Sequence, residues 1–152
     1  MPAGTTASKT PSCSRGRSRR LRSCSRSENP RSVEAFEAAG GAGKPRLGQL
    51  HVCWAQSTDE AEAMLHRMWP QGALKGSALS DLARPKDFEG VVASIPLEAA
   101  VANVTCGPDP ACHVEAIVRF AAAGFTEVYV HQIGPDQAGF FRFYADEVLP
   151  HL

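Results

Sequence analysis

The chain has 152 residues, of which 43% are hydrophobic, enough for one globular domain with a buried core. Its zero net charge conceals two unlike parts, because residues 1–32 hold eight of the sixteen basic residues and one of the sixteen acidic residues. The five cysteines are odd in number and form no Cys-x-x-Cys pair, which argues against a disulfide framework or a structural zinc site. The same cysteine usage favours a reducing cytoplasm. No apolar run reaches the ~20 residues of a membrane span, and a secretory signal is not supported because the amino-terminal residues include no apolar segment.

Residues 1–32 are rich in Ser, Arg, Thr, Pro and Gly. They can bury too little apolar surface to offset an ordering cost of about 1–2 kcal/mol per residue, so a disordered leader is expected. One interpretation is a nucleic-acid-binding arm, since the basic tract 12–20 could contact phosphates. The other is a sequence that was never selected, because a GC-rich gene read out of frame gives this composition. We favour the second, since the leader has no aromatic residue on which bases could stack.

Composition becomes ordinary at Val33, so residues 33–152 are predicted to form the folded part. A short helix over 33–39 is followed by a predicted strand over 47–54. Ser57-Thr58-Asp59-Glu60 has the form of a capping box and predicts a helix that ends before Pro70. Its expected buried residues follow helical spacing: Ala61, Met64, Leu65 and Met68.

Residues 71–103 are less regular, and we interpret them as an insertion with short helical pieces over 85–92 and 96–102. A short strand over 104–106 is then followed by an N-cap at Asp109 and a helix. The apolar spacing predicts that this helix buries Val114, Ile117, Val118 and Ala121. A strand over 127–133 and a final helix complete the pattern, and the final helix is expected to carry Phe140, Phe141, Tyr144 and Val148.

Three strands, each followed by a helix, predict the α/β class. Parallel strands joined by a helix belong to a larger sheet or barrel, and three strands cannot close a barrel that needs eight. The expected fold is therefore an incomplete (β/α)8 TIM barrel, made of its last three βα units and preceded by the disordered leader.

Six segments carry a recognisable pattern: Gly48–Ala55, Cys106–Pro110, His113–Ile117, Ala123–Phe125, Val128–Gln137 and Phe140–Tyr144. They closely resemble the carboxyl-terminal third of the luciferase-like, coenzyme F420-dependent oxidoreductases, in the subgroup related to F420-dependent glucose-6-phosphate dehydrogenase. The resemblance covers residues 33–152 and is most specific over 129–136.

This resemblance implies a barrel enzyme that transfers a hydride between a small organic substrate, such as a CH–OH donor, and the deazaflavin cofactor F420. It also implies that the catalytic His, Trp and Glu and most cofactor contacts lie in the first half of the barrel, whose motifs this chain lacks. We therefore assign no catalytic residue, and expect the chain alone to be inactive and not to bind F420. The sequence leaves open whether the chain forms a homo-oligomer. Relatives that oxidise sugar phosphates carry basic residues where this chain aligns Leu79 and Asn103, so glucose 6-phosphate does not fit as the substrate.

Functional groups of such barrels lie at the carboxyl ends of the strands, and phosphate often binds the loops after strands seven and eight. This rule selects four candidate cofactor- or substrate-binding residues at the barrel mouth: His131, Gln132, Gly134 and Gly107. His131 could face a substrate or bond a neighbouring loop. The helix start at 134–136 offers backbone N–H groups to an anion, although the carboxylate of Asp136 opposes that use.

Three further residue types need an interpretation. His51, in the middle of its strand, is interpreted as an interior residue, and Trp54 as a packing residue. The neighbouring Cys112 and His113 point about 100° apart on a helix, so no metal site is predicted there.

Overall fold

The computed structural model describes residues 30–74 and 81–152. The leader through residue 29 and Leu79 lie outside these described residues, so the predictions made for them stay predictions. Helix α1 spans Pro30–Phe36 and begins three residues before the change in composition at Val33. It continues as a π-helical turn, Glu37–Gly41, in which Gly40 has a positive φ of 92°.

The first strand and the helix after it follow the prediction closely. Strand β1 spans Leu47–Cys53 and helix α2 spans Thr58–Met68. The Ser57 side chain accepts a hydrogen bond from the backbone N–H of Glu60, which confirms the predicted cap. A 3₁₀ turn over Pro70–Ala73 comes directly after the helix.

The remaining elements are helices and helical turns with two short strands between them. They are helix α3 (Pro85–Ala93), helix α4 (Leu97–Val101), strand β2 (Thr105–Cys106), helix α5 (Pro110–Ala122), strand β3 (Glu127–Gln132), helix α6 (Gln137–Phe143), a π-helical turn (Tyr144–Val148) and a 3₁₀ turn (Leu149–His151). No helix among the described residues is both long and apolar enough to cross a lipid bilayer.

The three strands are parallel, and β1 lies in the middle, in the order β2-β1-β3. β1 pairs with β3 over six positions, from Leu47 opposite Glu127 to Val52 opposite Gln132. β2 pairs with β1 at two positions only. Three successive barrel units would have placed β2 between the other two strands. The structure therefore corrects this part of the prediction: β1 and β3 are neighbouring full strands, and β2 is a two-residue addition within the connection between them.

The two faces of the β1-β3 pair differ in burial. The helix-covered face packs on α5 and on the carboxyl-terminal helical turns, and it carries Gly48, Leu50, Val52, Val128, Val130 and Gln132. The opposite side, called the histidine face, carries Leu47, Gln49, His51, Glu127, Tyr129 and His131. Leu47 is 54% exposed and Tyr129 is 59% exposed. The amino half of the histidine face is therefore open.

Beyond the two histidines, the carboxyl half of the histidine face is covered. A second apolar cluster joins its strand ends to α2: Cys53, Ala55, Ala61, Leu65, Val104, Cys106 and Ile133. The sheet is thus closed over its carboxyl ends and open at its amino ends on this side.

Burial corrects the predicted apolar faces of the helices. In α5, Val114 is buried but Val118 and Ala121 are exposed, because the sheet contacts the face that carries Ala116 and Phe120 instead. In the final helical segment Phe140, Tyr144 and Val148 are buried, whereas Phe141 is 66% exposed. Met68, at the end of α2, is also exposed.

Candidate functional site

The four predicted mouth residues all lie at or just beyond the carboxyl ends of the strands, but the side chains of Gln132 and His131 lie on opposite faces of the sheet. Gln132, Gly134 and Gly107 are buried. His131 is half-buried on the histidine face.

Gln132 holds the end of β1. Its side-chain oxygen accepts from the backbone N–H of Trp54 at 2.9 Å, and its side-chain nitrogen donates to the carbonyl oxygen of Trp54 at 3.0 Å. The amide thus extends the ladder between β3 and β1 by one more peptide-like pair. This use satisfies one donor and one acceptor of a buried side chain, as burial requires.

Gly107 belongs to a hydrogen-bond chain that joins three elements. Its N–H donates to the Cys53 carbonyl oxygen, and its own carbonyl oxygen lies 3.0 Å from Nε2 of His113. A carbonyl oxygen can only accept, so Nε2 carries the proton and Nδ1 accepts from the Tyr144 hydroxyl, also at 3.0 Å. Burial lowers the pKa of His113, which keeps the ring neutral, and burial raises the pKa of Tyr144.

Gly107 and Gly134 also allow close approach of α2. Gly107 has a positive φ of 96°, and a Cβ there would lie 2.7 Å from the Thr58 hydroxyl oxygen. A Cβ on Gly134 would lie 2.7 Å from the Met64 sulfur. An alanine at either position would force these neighbours to move, and at Gly107 the positive φ would add backbone strain.

The start of α6 is already capped. The Asp136 carboxylate accepts from the backbone N–H of Gly139 at 2.8 Å, and the Gln137 side chain donates to the Gly134 carbonyl oxygen. The backbone N–H of Gly139 is therefore already bonded to Asp136 and is not free to bind an anion at this helix start.

His131, His51 and Trp69 form a cluster of rings on the histidine face, here called the histidine cluster. The two histidines are directly paired in the sheet register, and their Nδ1 atoms are 3.0 Å apart. The Trp69 ring centre lies 5.7 Å from that of His51 and 5.3 Å from that of His131. Each histidine ring therefore meets both of the other rings.

Two groups on this side of the sheet have shifted pKa values. Burial is the main cause of a lowered pKa at His51, and the neighbouring His131 lowers it further. Burial also raises the pKa of the Cys53 thiol to about 11, so this cysteine is uncharged and unreactive near neutral pH. Within residues 30–74 and 81–152, no group of three or more His, Cys, Asp or Glu side chains is placed to hold a metal ion.

Two features of the site were missed by the sequence reasoning. Trp69 was interpreted only as the end of a helix, and the bond between His113 and Tyr144 joins residues that are 31 positions apart. The pairing of His51 with His131 could have been found, because each is the fifth residue of its strand. Trp54 is buried and stacks on Phe143, as its interpretation as a packing residue predicts.

A shallow groove of about 290 Å³ lies near the carboxyl end of β1, between Trp54 and the final helical segment. Its lining includes Trp54, Gln56, Gly139, Arg142 and Phe143, and none of the four predicted residues. The indole N–H of Trp54 is buried without a hydrogen-bond partner among the described residues.

Comparison with characterised proteins gives the sequence relatives of this chain. It is 33% identical over 86 residues to the F420-dependent glucose-6-phosphate dehydrogenase of Microbacterium testaceum, and 31% identical over 96 residues to that of Nakamurella multipartita. The corresponding enzyme of Beutenbergia cavernae is 33% identical over 95 residues. The curated homologues of this chain are thus F420-dependent dehydrogenases. The resemblance stated from the sequence motifs is thereby confirmed.

These matches cover 57% to 62% of this chain. The chain spans only about a quarter of the length of the curated relatives it matches, between 26% and 28%. A search of family models found no match.

A solved structure supports the fold. An F420-dependent secondary alcohol dehydrogenase, in complex with an F420-acetone adduct, superposes on 80% of this chain with a TM-score of 0.63 and 21% identity. The aligned part is 37% of that protein. The α/β fold with a small parallel sheet is thus similar to part of an F420-dependent TIM-barrel enzyme.

Proposed function

We propose that this chain provides the carboxyl-terminal part of an F420-dependent luciferase-like oxidoreductase that acts on a small organic CH–OH donor. The sequence similarity over 86 to 96 residues to three F420-dependent dehydrogenases carries the proposal. The cofactor would take a hydride from the donor carbon, while the hydroxyl proton passes to a base.

In this proposal the chain contributes support and part of the barrel mouth rather than the reacting groups. Gln132, Gly134 and Gly107 hold the carboxyl ends of β1 and β3 at fixed positions through the contacts described above. His131 is the candidate with a half-buried side chain on the open side of the sheet, so it is the residue we propose to contact substrate or cofactor.

The proposed donor is an alcohol without a phosphate group. A phosphate needs positive charge or several hydrogen-bond donors. The position that aligns with a phosphate-binding basic residue holds Asn103 here, and the second holds Leu79, outside the described residues. The cytoplasmic location and a homo-oligomeric assembly stay predictions.

The experiment is a titration of F420 fluorescence with the chain alone and with the chain co-expressed with the amino-terminal portion of the Microbacterium testaceum enzyme. We expect no binding by the chain alone, and binding with alcohol-dependent loss of the oxidised F420 absorbance by the complemented pair. The role of His131 is tested in the complemented pair with His131→Ala, against the control His151→Ala at an exposed position. His131→Ala should weaken binding of F420 or of the alcohol, and His151→Ala should not. Submicromolar binding of F420 by the isolated chain would overturn the assignment of the cofactor site to other parts of the barrel. A complemented pair that associates but never binds F420 would overturn the proposed function.

A further inference from the structure

His51 and His131 are held face to face by the backbone rather than by flexible loops. They occupy opposite positions in a parallel ladder of six residue pairs. The next residues, Val52 and Gln132, are paired as well, and the N–H of Ile133 donates to the carbonyl oxygen of Val52. The Nδ1 atoms of the two histidines are 3.0 Å apart. Without an ion, the Nδ1–H of one ring donates a hydrogen bond to Nδ1 of the other.

That separation matches two adjacent ligands of one metal ion. Imidazole nitrogens bind first-row divalent ions at about 2.0–2.1 Å, so two nitrogens at right angles around an ion lie about 2.8–3.0 Å apart. At the tetrahedral angle they would lie about 3.3–3.4 Å apart. Right-angle geometry with nitrogen ligands is typical of square-planar or octahedral Cu²⁺ and Ni²⁺.

Two further observations favour access by an ion. Both rings are half-buried, and neighbouring positions on the histidine face, Gln49 and Tyr129, are exposed, so water can reach this side of the sheet.

We propose that His51 and His131 form a two-histidine site for a divalent transition-metal ion that prefers imidazole, with Nδ1 of both rings as ligands and water in the other positions. On binding, the proton on Nδ1 of the donor ring moves to Nε2 of the same ring, so both rings stay neutral with Nε2 protonated and both Nδ1 atoms are free to bind the ion. Trp69 forms the wall of the site. His131 is also the residue proposed above to contact substrate or cofactor, but the metal site is inferred from the positions of His51, His131 and Trp69 and not from that role.

Binding of an ion at this site can be measured by the fluorescence of Trp69. Its indole lies within 6 Å of both imidazole rings, so a paramagnetic ion bound between them should quench its fluorescence. Nickel chloride is titrated into the full chain above the ordinary imidazole pKa of about 6.5. We expect saturable quenching that is absent in Trp69→Phe, the variant that leaves Trp54 as the remaining tryptophan.

The ligand assignment is tested with His51→Asn and His131→Asn, against the matched control His151→Asn at an exposed position. Each of the first two should weaken Ni²⁺ binding by on the order of tenfold or more, and the control should not change it. A second measurement needs no variant: bound Ni²⁺ should protect His51 and His131 of the unmodified chain from diethyl pyrocarbonate. Absence of saturable quenching, equal affinity in His131→Asn, or modification of both histidines at saturating Ni²⁺ would each overturn the proposal.

Discussion

At the scale of single residues, the chain from Tyr144 through His113 to Gly107 ties the final helical segment to the strand ends. Replacing Tyr144 with Phe removes the hydroxyl that donates to Nδ1 of His113, and leaves a buried acceptor without a partner. We expect a loss of about 1–3 kcal/mol in the free energy of unfolding, measured by urea denaturation. The matched control is Tyr129→Phe, because Tyr129 is 59% exposed and its loss should stay within about 0.5 kcal/mol. Equal losses in the two variants would contradict the assigned bond.

The same residues set the response of the fold to acid. Burial lowers the pKa of both His113 and His51 in the folded chain, so below the ordinary value of about 6.5 the unfolded chain binds more protons than the folded one. The free energy of unfolding should therefore fall as the pH decreases through this region and on toward the lowered pKa values. Urea denaturation at a series of pH values measures the slope. His51→Asn should make the slope shallower and His151→Asn should not. A stability that stays constant across this pH range would show that the buried rings are not kept neutral by folding.

At the scale of elements, Gly48 determines how closely β1 approaches α5. A Cβ at this position would lie 2.7 Å from Cε1 of Phe120, a ring that is fully buried. Gly48→Ala should therefore destabilise the fold by about 1–3 kcal/mol through overpacking. Gly90, inside α3, is the matched control, since a Cβ there meets nothing within 4 Å. Gly90→Ala should stabilise the helix by about 0.5–1 kcal/mol. Thermal unfolding of the two variants should shift in opposite directions, and a shift in the same direction would contradict this account.

The contrast between these glycines also shows what the sequence could predict about the elements. Helix starts were predictable, because the capping residues Ser57, Asp109 and Asp136 bond to backbone groups within three positions. The strands were predictable from short apolar runs. Helix caps and apolar strand runs depend on residues that are close in the chain, so they can be predicted without knowledge of the fold.

The order of the strands was not predictable by the same reasoning. The two-residue β2 looks like a third strand in the sequence, yet it joins the far side of β1 and leaves β1 and β3 as direct neighbours. The buried face of α5 was missed for a related reason. Val118 is apolar and correctly spaced, but the side of the helix that is buried is decided by where the sheet lies. The candidate site shows the same division. The strand ends were located correctly from the sequence. The contact of Trp69 with the two histidines was not, because it depends on how the turn after α2 packs against the sheet.

At the scale of the whole molecule, the asymmetry between the two sheet faces is the main feature. The helix-covered face is packed by a core that includes Leu50, Val52 and Phe120, each 5% exposed or less. The histidine face has a covered carboxyl half and an exposed amino half with Leu47 and Tyr129. Parallel sheets ordinarily have both faces covered, so this exposed half is a surface on which further protein would normally lie.

The last prediction follows from that surface. Exposed apolar side chains and unpaired strand edges recruit other chains, and each Å² of apolar surface that is removed from water contributes roughly 25 cal/mol. We therefore expect the chain alone to self-associate, and to become monodisperse when it is co-expressed with the amino-terminal portion of a related barrel. Sedimentation analysis of both preparations measures this. Leu47→Lys and Tyr129→Lys together should reduce self-association of the chain alone, whereas Leu149→Lys with Phe141→Lys, at exposed positions on the final helical segment, should reduce it less. A monodisperse monomer with a cooperative thermal transition above about 45 °C would mean that the chain needs no cover on its histidine face.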